Sequence, residues 1–256
     1  MPIWNKKELQ GFVVKNNGFT LVEMSIVILV ISLLLAAITK GQSLIDEAKL
    51  QSIVAEVSQN KVAINSFYAK YNQYPGDYSD AAATWGGAYT ASGDNNGQIE
   101  FKNTAGSPVY EGYRAWAHLY FSGMLETPYT GTTTTGAAVP NADIPASKAG
   151  GGYLLDYSSS PTGYDHLTAN AYGFSAKNVM LLGTAAATTV SPLLVNGVLT
   201  PSQAMGVDAK MDDGAPTTGN VRGADGNAST AGNCISTIYK VSLTGKDCIM
   251  VFRASD

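Results

Sequence analysis

The apolar residues of this chain are concentrated in one run near its beginning. From Phe19 to Ile38 about twenty successive residues are mostly Leu, Ile, Val and Ala, which is the length that an α-helix needs to cross a bilayer. Glu23 is the one formally charged residue in this run. Because a carboxylate inside such a helix is costly unless it has a partner, the pattern predicts a membrane-spanning helix with a functional acid near its start.

After Ile38 the apolar positions become periodic. They recur at steps of three and four residues, with Lys and Glu between them, which indicates a helix with one buried and one solvated face. We therefore expect one helix from Phe19 to about Asn72, which would be about 80 Å long. Pro75 and Gly76 would end it, because Pro disfavours a helical conformation in the residue before it. The periodic apolar residues are Leu50, Ile53, Val54, Val57, Ile64, Phe67, Tyr68 and Tyr71.

The residues around the lone acid resemble a known motif. A short basic leader precedes Gly18, and the sequence Gly-Phe-Thr-Leu-Val-Glu-Met then opens the apolar run. This arrangement resembles the processing and methylation motif of type IV prepilins and of the pseudopilins of type II secretion. The resemblance implies that a prepilin peptidase cuts between Gly18 and Phe19 and methylates the new Phe19 amine. It also implies that Glu23 meets the Phe19 amine of a neighbouring subunit in the assembled fibre.

Two simpler interpretations explain less of the N-terminal pattern. An ordinary secretory signal has an apolar region of about 7 to 15 residues that ends in an Ala-x-Ala-like site, which residues 34–39 fit poorly. A plain membrane anchor accounts for the apolar run and for the leader lysines, which the positive-inside rule would keep in the cytoplasm. A plain anchor does not account for Glu23.

The sequence divides into four parts. We expect a cleaved leader at 1–18, a transmembrane and assembly helix at 19–38, its amphipathic continuation at 39–73 and a globular head at 74–256. The head is within the size range of one domain with its own core. The resemblance implies an α+β fold, in which the long helix runs from the membrane into the periplasm and packs on an antiparallel β-sheet.

Short patterns in the head predict two helices and several strands. Apolar positions at helical steps predict a helix within residues 111–126, and Thr200 followed by Pro201 predicts the start of another helix that ends near Met211. Short apolar or aromatic runs between Gly, Ser and Asn predict antiparallel strands. These strands are expected at 153–157, 171–174, 178–182, 235–243 and 249–252.

Composition and charge give no support for two classes of function, general nucleic-acid binding and catalysis. Charged residues make up 14% of the chain, its formal net charge is −4, and it shows no basic stripe, so general nucleic-acid binding by the head is not expected. His is scarce, and the Gly-rich segments lack the residues that a nucleophile elbow or a phosphate-binding loop requires. The sequence therefore gives no support for an enzyme, and no cofactor is required.

Two acidic segments contain candidate Ca²⁺ ligands. Asp94, Asn96 and Glu100 place carboxylate and amide oxygens at alternate positions around a Gly, and these are groups that Ca²⁺ accepts. A polar turn between strands explains the same residues without a metal. The alternative set is Asp208, Asp212 and Asp213, for which a solvated helix end and turn is the simpler interpretation.

Cys234 and Cys248 are the only two cysteines. In an exported head they suggest a disulfide, because the compartment outside the cytoplasmic membrane permits oxidation. Two unpaired buried thiols are the alternative. The resemblance supports the pairing, since pilins commonly close a C-terminal loop in this way.

These observations predict a structural subunit of a type IV pilus or a pilus-like fibre. Its expected partners are other pilin-like subunits of the same or a different kind, prepilin peptidase, the inner-membrane assembly platform and, before assembly, membrane lipid. We expect a single-pass protein of the bacterial inner membrane with its head in the periplasm, which then enters a pilus or pseudopilus that can reach the cell surface. A type II secretion pseudopilin and a membrane-tethered head that binds a ligand or DNA are the alternatives.

Overall fold

The computed structural model describes residues 18–86, 91–102, 109–131, 138–158, 174, 177–185, 194, 196–226 and 232–255. The chain divides into two compact units, Met1–Asp46 and Glu47–Asp256. The leader residues before Gly18 lie outside the described residues, as does most of the strand that was expected at 171–174.

The first unit contains the beginning of helix α1 (Leu21–Tyr71), which is 51 residues long. In this unit every described residue except Gly41 is exposed. The helix includes an 18-residue window with a mean hydropathy of 2.8, none of it buried, so its length and composition suit a membrane span. The predicted long apolar helix is confirmed.

The second unit begins with the remainder of α1, which contributes one stripe of side chains to the core. The buried positions fall at helical steps, as the periodic pattern predicted. The helix ends at Tyr71 because Asn72 turns into the left-handed region, with φ 55°, while its N–H donates to the Tyr68 carbonyl oxygen at 2.7 Å. The buried residues of the stripe are Leu50, Ile53, Val57, Asn60, Ala63, Ile64 and Phe67.

Short elements follow the long helix. They are helix α2 (Ala81–Trp85), the paired two-residue strands β1 (Phe101–Lys102) and β2 (Val109–Tyr110), and helix α3 (Glu111–Phe121). Tyr113, Trp116 and Leu119 of α3 are fully buried. Their three-residue spacing explains why the pattern within 111–126 predicted this helix.

A four-stranded antiparallel sheet forms the other side of the core. It contains strands β3 (Gly152–Ser158), β4 (Lys177–Gly183), β5 (Val221–Asp225) and β6 (Cys248–Arg253), in the order β3-β4-β6-β5. Helix α4 (Pro201–Met211) precedes β5. A reciprocal capping box starts α4: the Thr200 side chain accepts from the Gln203 N–H, and the Gln203 side chain accepts from the Thr200 N–H. The expected α+β class and antiparallel sheet are confirmed.

The C-terminal region confirms one prediction and corrects another. Cys234 and Cys248 form a disulfide, with their Cα atoms 5.0 Å apart. The strand expected at 235–243 is wrong: these residues form turns, with only an isolated bridge between Ile235 and Tyr239. The physical reason lies in Asp225, whose carboxylate accepts the N–H groups of Gly232, Cys234 and Ile235 and so bends the backbone around it.

Candidate functional site

The candidate processing and assembly residues lie at the start of α1. Phe19 is exposed, with 79% of its surface accessible, and Gly18 and Glu23 are exposed as well. Glu23 lies in the first turn of the helix. The structure therefore places the predicted cleavage position immediately before the helix and the predicted acid within its first turn.

Glu23 is held by a local contact that the sequence analysis missed. Its Oε2 accepts from the Thr20 N–H at 2.8 Å and from Thr20 Oγ1 at 2.9 Å. In return, the Glu23 N–H donates to Thr20 Oγ1 at 3.2 Å. This is a capping box, in which a Thr before the helix and a Glu three residues later satisfy backbone N–H groups that the helix leaves free. The spacing Thr-x-x-Glu was the signal that could have revealed it.

The first acidic segment folds into a different group from the one expected. Carboxylate oxygens of Asp77, Asp94 and Glu111 lie within 4.8 Å of one another. Asn96 Oδ1 instead accepts from the Gln98 N–H at 2.8 Å, and Asn96 Nδ2 donates to Asp94 at 3.0 Å and to Glu100 at 3.3 Å. Of the predicted ligands Asp94, Asn96 and Glu100, only Asp94 therefore belongs to the convergent group.

Burial dominates the electrostatics of this group. Asp77 is fully buried and Glu111 is 1% exposed. Loss of hydration raises the pKa of Asp77, although its carboxylate accepts from the N–H groups of Asn96 at 3.0 Å and Gly97 at 2.8 Å. Loss of hydration and, to a smaller extent, the charges of the neighbouring carboxylates raise the pKa of Glu111 to about 8, although the Glu100 N–H opposes the shift by donating to Glu111. Ca²⁺ binding at this group stays a prediction.

The second acidic segment does bring Asp208, Asp212 and Asp213 together, with oxygens within 4.8 Å of one another. Each carboxylate accepts hydrogen bonds from the protein itself. Asp208, fully buried in α4, accepts from Tyr239 Oη at 2.7 Å and from the Gly214 N–H at 3.0 Å. Burial raises the pKa of Asp208 to about 6.

The other two carboxylates of this segment bind the loop that follows α4. Asp213 accepts from the Ala215 N–H at 2.9 Å, and Asp212 accepts from the N–H groups of Asn220 and Val221. The arrangement joins this loop and the disulfide-closed segment to α4, so these contacts support a structural role. Ca²⁺ binding here likewise stays a prediction.

Comparison with known proteins bears on the N-terminal segment. Residues 14–39 match the family model described as the prokaryotic N-terminal methylation motif. The matched range contains Gly18, Phe19 and Glu23, so the motif predicted from these residues is confirmed. The chain thus carries an N-terminal methylation motif, on the same residues that resemble type IV prepilins and pseudopilins.

The remaining comparisons concern the whole chain. A search of curated proteins finds no significant match. Among solved structures, the chain is similar to the major type IV pilin PilA1 from Clostridium difficile, at 15% identity and a TM-score of 0.36, over 84% of this chain and 99% of that one. At this identity and TM-score the comparison adds no argument about function.

Proposed function

We propose that this chain is a structural subunit of a type IV pilus or a related fibre, cut between Gly18 and Phe19 and methylated on the Phe19 amine. The observation that carries the proposal is the methylation motif at residues 14–39, which opens an exposed apolar helix with one acid in its first turn. The partners are prepilin peptidase, the assembly platform of the inner membrane and further pilin-like subunits.

The exposed apolar side chains of α1 in the first unit support a position first in a membrane and then in a fibre. The apolar side chains of the first unit are unfavourable in water, and either lipid or the helices of neighbouring subunits would cover them. The basic leader favours a cytoplasmic N-terminus, which places the second unit in the periplasm before assembly. The subunit therefore passes from one apolar surrounding to another.

Charge pairing gives this transfer its specificity. In the single chain, Glu23 accepts hydrogen bonds from the N–H and the hydroxyl of Thr20, which lowers the cost of holding a carboxylate in lipid. Cleavage at Gly18 creates a free amine on Phe19. In the apolar centre of a fibre, the Phe19 amine of one subunit and Glu23 of another would compensate each other, and a subunit out of register would leave both charges unpaired.

Intact-mass measurement tests the processing step directly. The protein is purified from cells with an active prepilin peptidase and from matched cells that lack it. The expected result is a chain without residues 1–18 and with one methyl group on Phe19 in the first case, and the unprocessed chain in the second. A full-length, unmethylated chain from both strains would overturn the proposal.

A further inference from the structure

A pocket of about 520 Å³ lies in the second unit, beside α1. Four segments contribute to its lining: one turn of α1, the loop that follows α3, the loop that precedes β3, and β3 itself through Tyr153. The pocket is independent of the N-terminal residues that carry the proposed function. Its lining includes Glu56, Asn60, Glu126, Tyr129, Asn141 and Tyr153.

Asn60 is the first sign that the pocket receives a ligand. The residue is 6% exposed and lines the pocket, yet its side chain makes no hydrogen bond with any described part of the chain. A carboxamide offers two donor hydrogens and an acceptor oxygen. The described polar atoms that are buried without a partner are Trp116 Nε1 and Arg253 Nε, so the Asn60 amide is accessible from the cavity and its hydrogen-bonding groups are available to a ligand there.

The charges of the lining residues indicate whether the ligand is a cation or an anion. Glu56 and Glu126 both line the pocket, and its described lining residues include no Lys or Arg. Glu56 is fixed in place, since Oε2 accepts from Tyr153 Oη at 2.8 Å and Oε1 accepts from the Lys148 N–H at 3.2 Å. Glu126 is exposed at the rim. Two carboxylates without a lining cation repel anions and attract a cationic group.

The apolar residues of the lining indicate the shape of the cationic group that the pocket accepts. Tyr129, which is half-buried, lines the pocket together with Met124, Leu125 and Pro145. A planar guanidinium group stacks on such a ring and donates up to five hydrogen bonds in its own plane, whereas a compact ammonium group is more strongly hydrated and has no flat face. We propose that this pocket binds a guanidinium group, with Asn60 and Glu126 accepting its N–H donors and Tyr129 stacking on its face.

Isothermal titration calorimetry on the full chain tests this assignment. The protein is held in a polyoxyethylene detergent, because a sugar detergent could itself enter a polar pocket. Arginine amide is compared with citrulline amide, which has nearly the same shape but carries a neutral urea in place of the guanidinium. We expect saturable binding of arginine amide and binding of citrulline amide that is weaker by about tenfold or more.

Variants assign the binding to this pocket. Asn60→Leu and Glu126→Gln should each weaken arginine amide binding by about fivefold to tenfold. Glu126 is exposed, so its substitution should leave the fold intact even if Asn60→Leu disturbs packing. Glu47→Gln is the matched control, because Glu47 is a half-exposed acid on the same helix that pairs with Lys210 Nζ at 2.7 Å and does not line the pocket.

The outcomes separate the proposal from its rivals. No binding of arginine amide, equal binding of the two amides, or binding that neither pocket variant weakens would overturn it. Lysine amide that binds as tightly as arginine amide would overturn the guanidinium assignment, as would a neutral hexose that binds in place of arginine. Agmatine and a blocked Gly-Arg-Gly peptide then distinguish a free small cation from an arginine of another protein chain, and binding of either supports the proposal.

Discussion

At the residue scale, Glu23 has a hydrogen-bonded position at the start of the helix and a proposed role in fibre assembly. Its carboxylate accepts hydrogen bonds from Thr20 in the first turn of the helix, and the proposed assembly mechanism uses the same carboxylate as the opposite charge for the Phe19 amine. Mutation of Thr20 tests the roles separately, because Thr20→Ala removes both hydrogen bonds of the hydroxyl and keeps the negative charge of Glu23 and its bond to the Thr20 N–H. The free energy of helix capping is about 1 kcal/mol, which is small beside the penalty for an unpaired charge in an apolar fibre.

We predict that Glu23→Ala leaves cleavage largely intact and lowers the yield of assembled fibre by about tenfold or more, because the Phe19 amine then lacks its opposite charge. Thr20→Ala is the matched control, since it removes the capping hydroxyl and keeps the acid; fibre yield should change little. Sheared-fibre yield and intact mass measure the two steps. Normal incorporation of the Glu23→Ala subunit would contradict charge pairing as the assembly mechanism.

Glu111 makes the stability of the second unit depend on pH. Burial raises its pKa to about 8 from the ordinary 4.5, so the folded chain retains a proton that the unfolded chain releases. The stabilisation is fully present below about pH 4.5 and is lost as the pH rises to about 8. His118 acts in the opposite sense, because burial lowers its pKa to about 4 from 6.5 and stability falls as the pH drops below 6.5.

Above pH 6.5, His118 contributes little to the pH dependence of stability, so the contribution of Glu111 can be measured there. We predict that Glu111 lowers the free energy of unfolding between pH 6.5 and 8 by at most about 1.4 kcal/mol per pH unit and that Glu111→Gln removes this part of the slope, leaving the smaller part from Asp77 and Asp208, whose pKa values are raised to about 6. Gln keeps an oxygen that can accept from the Glu100 N–H, which Glu111 does at 3.0 Å. Denaturant unfolding across this range is the measurement, and an unchanged slope in the variant would exclude Glu111 as its origin.

At the element scale, the disulfide joins a strand inside the sheet to an irregular segment. Cys248 opens β6, which lies between β4 and β5, while Cys234 lies in the turns held by Asp225. Ile235 and Tyr239 of the turn segment are buried, whereas Ile238 is 68% exposed and Val241 is 48% exposed. The order of the exposed part of the segment therefore depends on the covalent link at Cys248.

We predict that the double variant Cys234→Ala and Cys248→Ala loses about 3 kcal/mol of unfolding free energy, the value expected for a closed loop of about 15 residues. Residues 235–247 should become protease-sensitive before the sheet unfolds. Limited proteolysis with mass analysis checks this order, and Ser substitutions at the same positions serve as a second cysteine-free control. Simultaneous loss of the loop and the sheet would show that the link supports the whole unit.

Elements with a local signal were predictable from the sequence, and those defined by distant partners were not. Helix α4 has a capping residue, an early Pro and an apolar face within one short stretch. Strand β5 was missed because Val221–Asp225 contains a Gly and two charges, so it is a strand only through its pairing with β6. The turns at 235–243 were mistaken for a strand because their apolar residues alternate, although Ile238 lies in solvent.

The difference between local and distant partners also explains which residues of the candidate sites could be predicted from the sequence. The N-terminal motif is contiguous, so the sequence predicted all of it except the role of Thr20 as the cap. Asp77 and Glu111 were missed because folding alone brings them to Asp94 from separate segments. The guanidinium pocket was not foreseen either, since Asn60 is an ordinary polar residue of a helix until burial and the absence of a described hydrogen-bond partner distinguish it.

At the scale of the whole molecule, the two units differ in what holds them. The first contributes exposed apolar helix, whereas the second contains the hydrophobic core, including the stripe of α1 from Leu50 onward. Apolar burial is the main favourable term in folding, so the second unit should not need the first for its stability. The amphipathic continuation of α1 therefore contributes its buried stripe to the core of the second unit, as its one-sided apolar pattern predicted.

We predict that a chain beginning at Glu47 is a water-soluble monomer that unfolds cooperatively, whereas a chain beginning at Pro75 fails to fold. The first keeps Ile53, Val57 and Phe67 in the core, and the second removes all three. Since loss of one large buried side chain costs about 2–5 kcal/mol and the total stability of a domain is about 5–15 kcal/mol, the loss of an entire helical stripe exceeds what the remaining contacts supply. Circular dichroism and light scattering compare the two chains, and cooperative folding of the shorter one would show that the sheet and α3 form a sufficient core without the long helix.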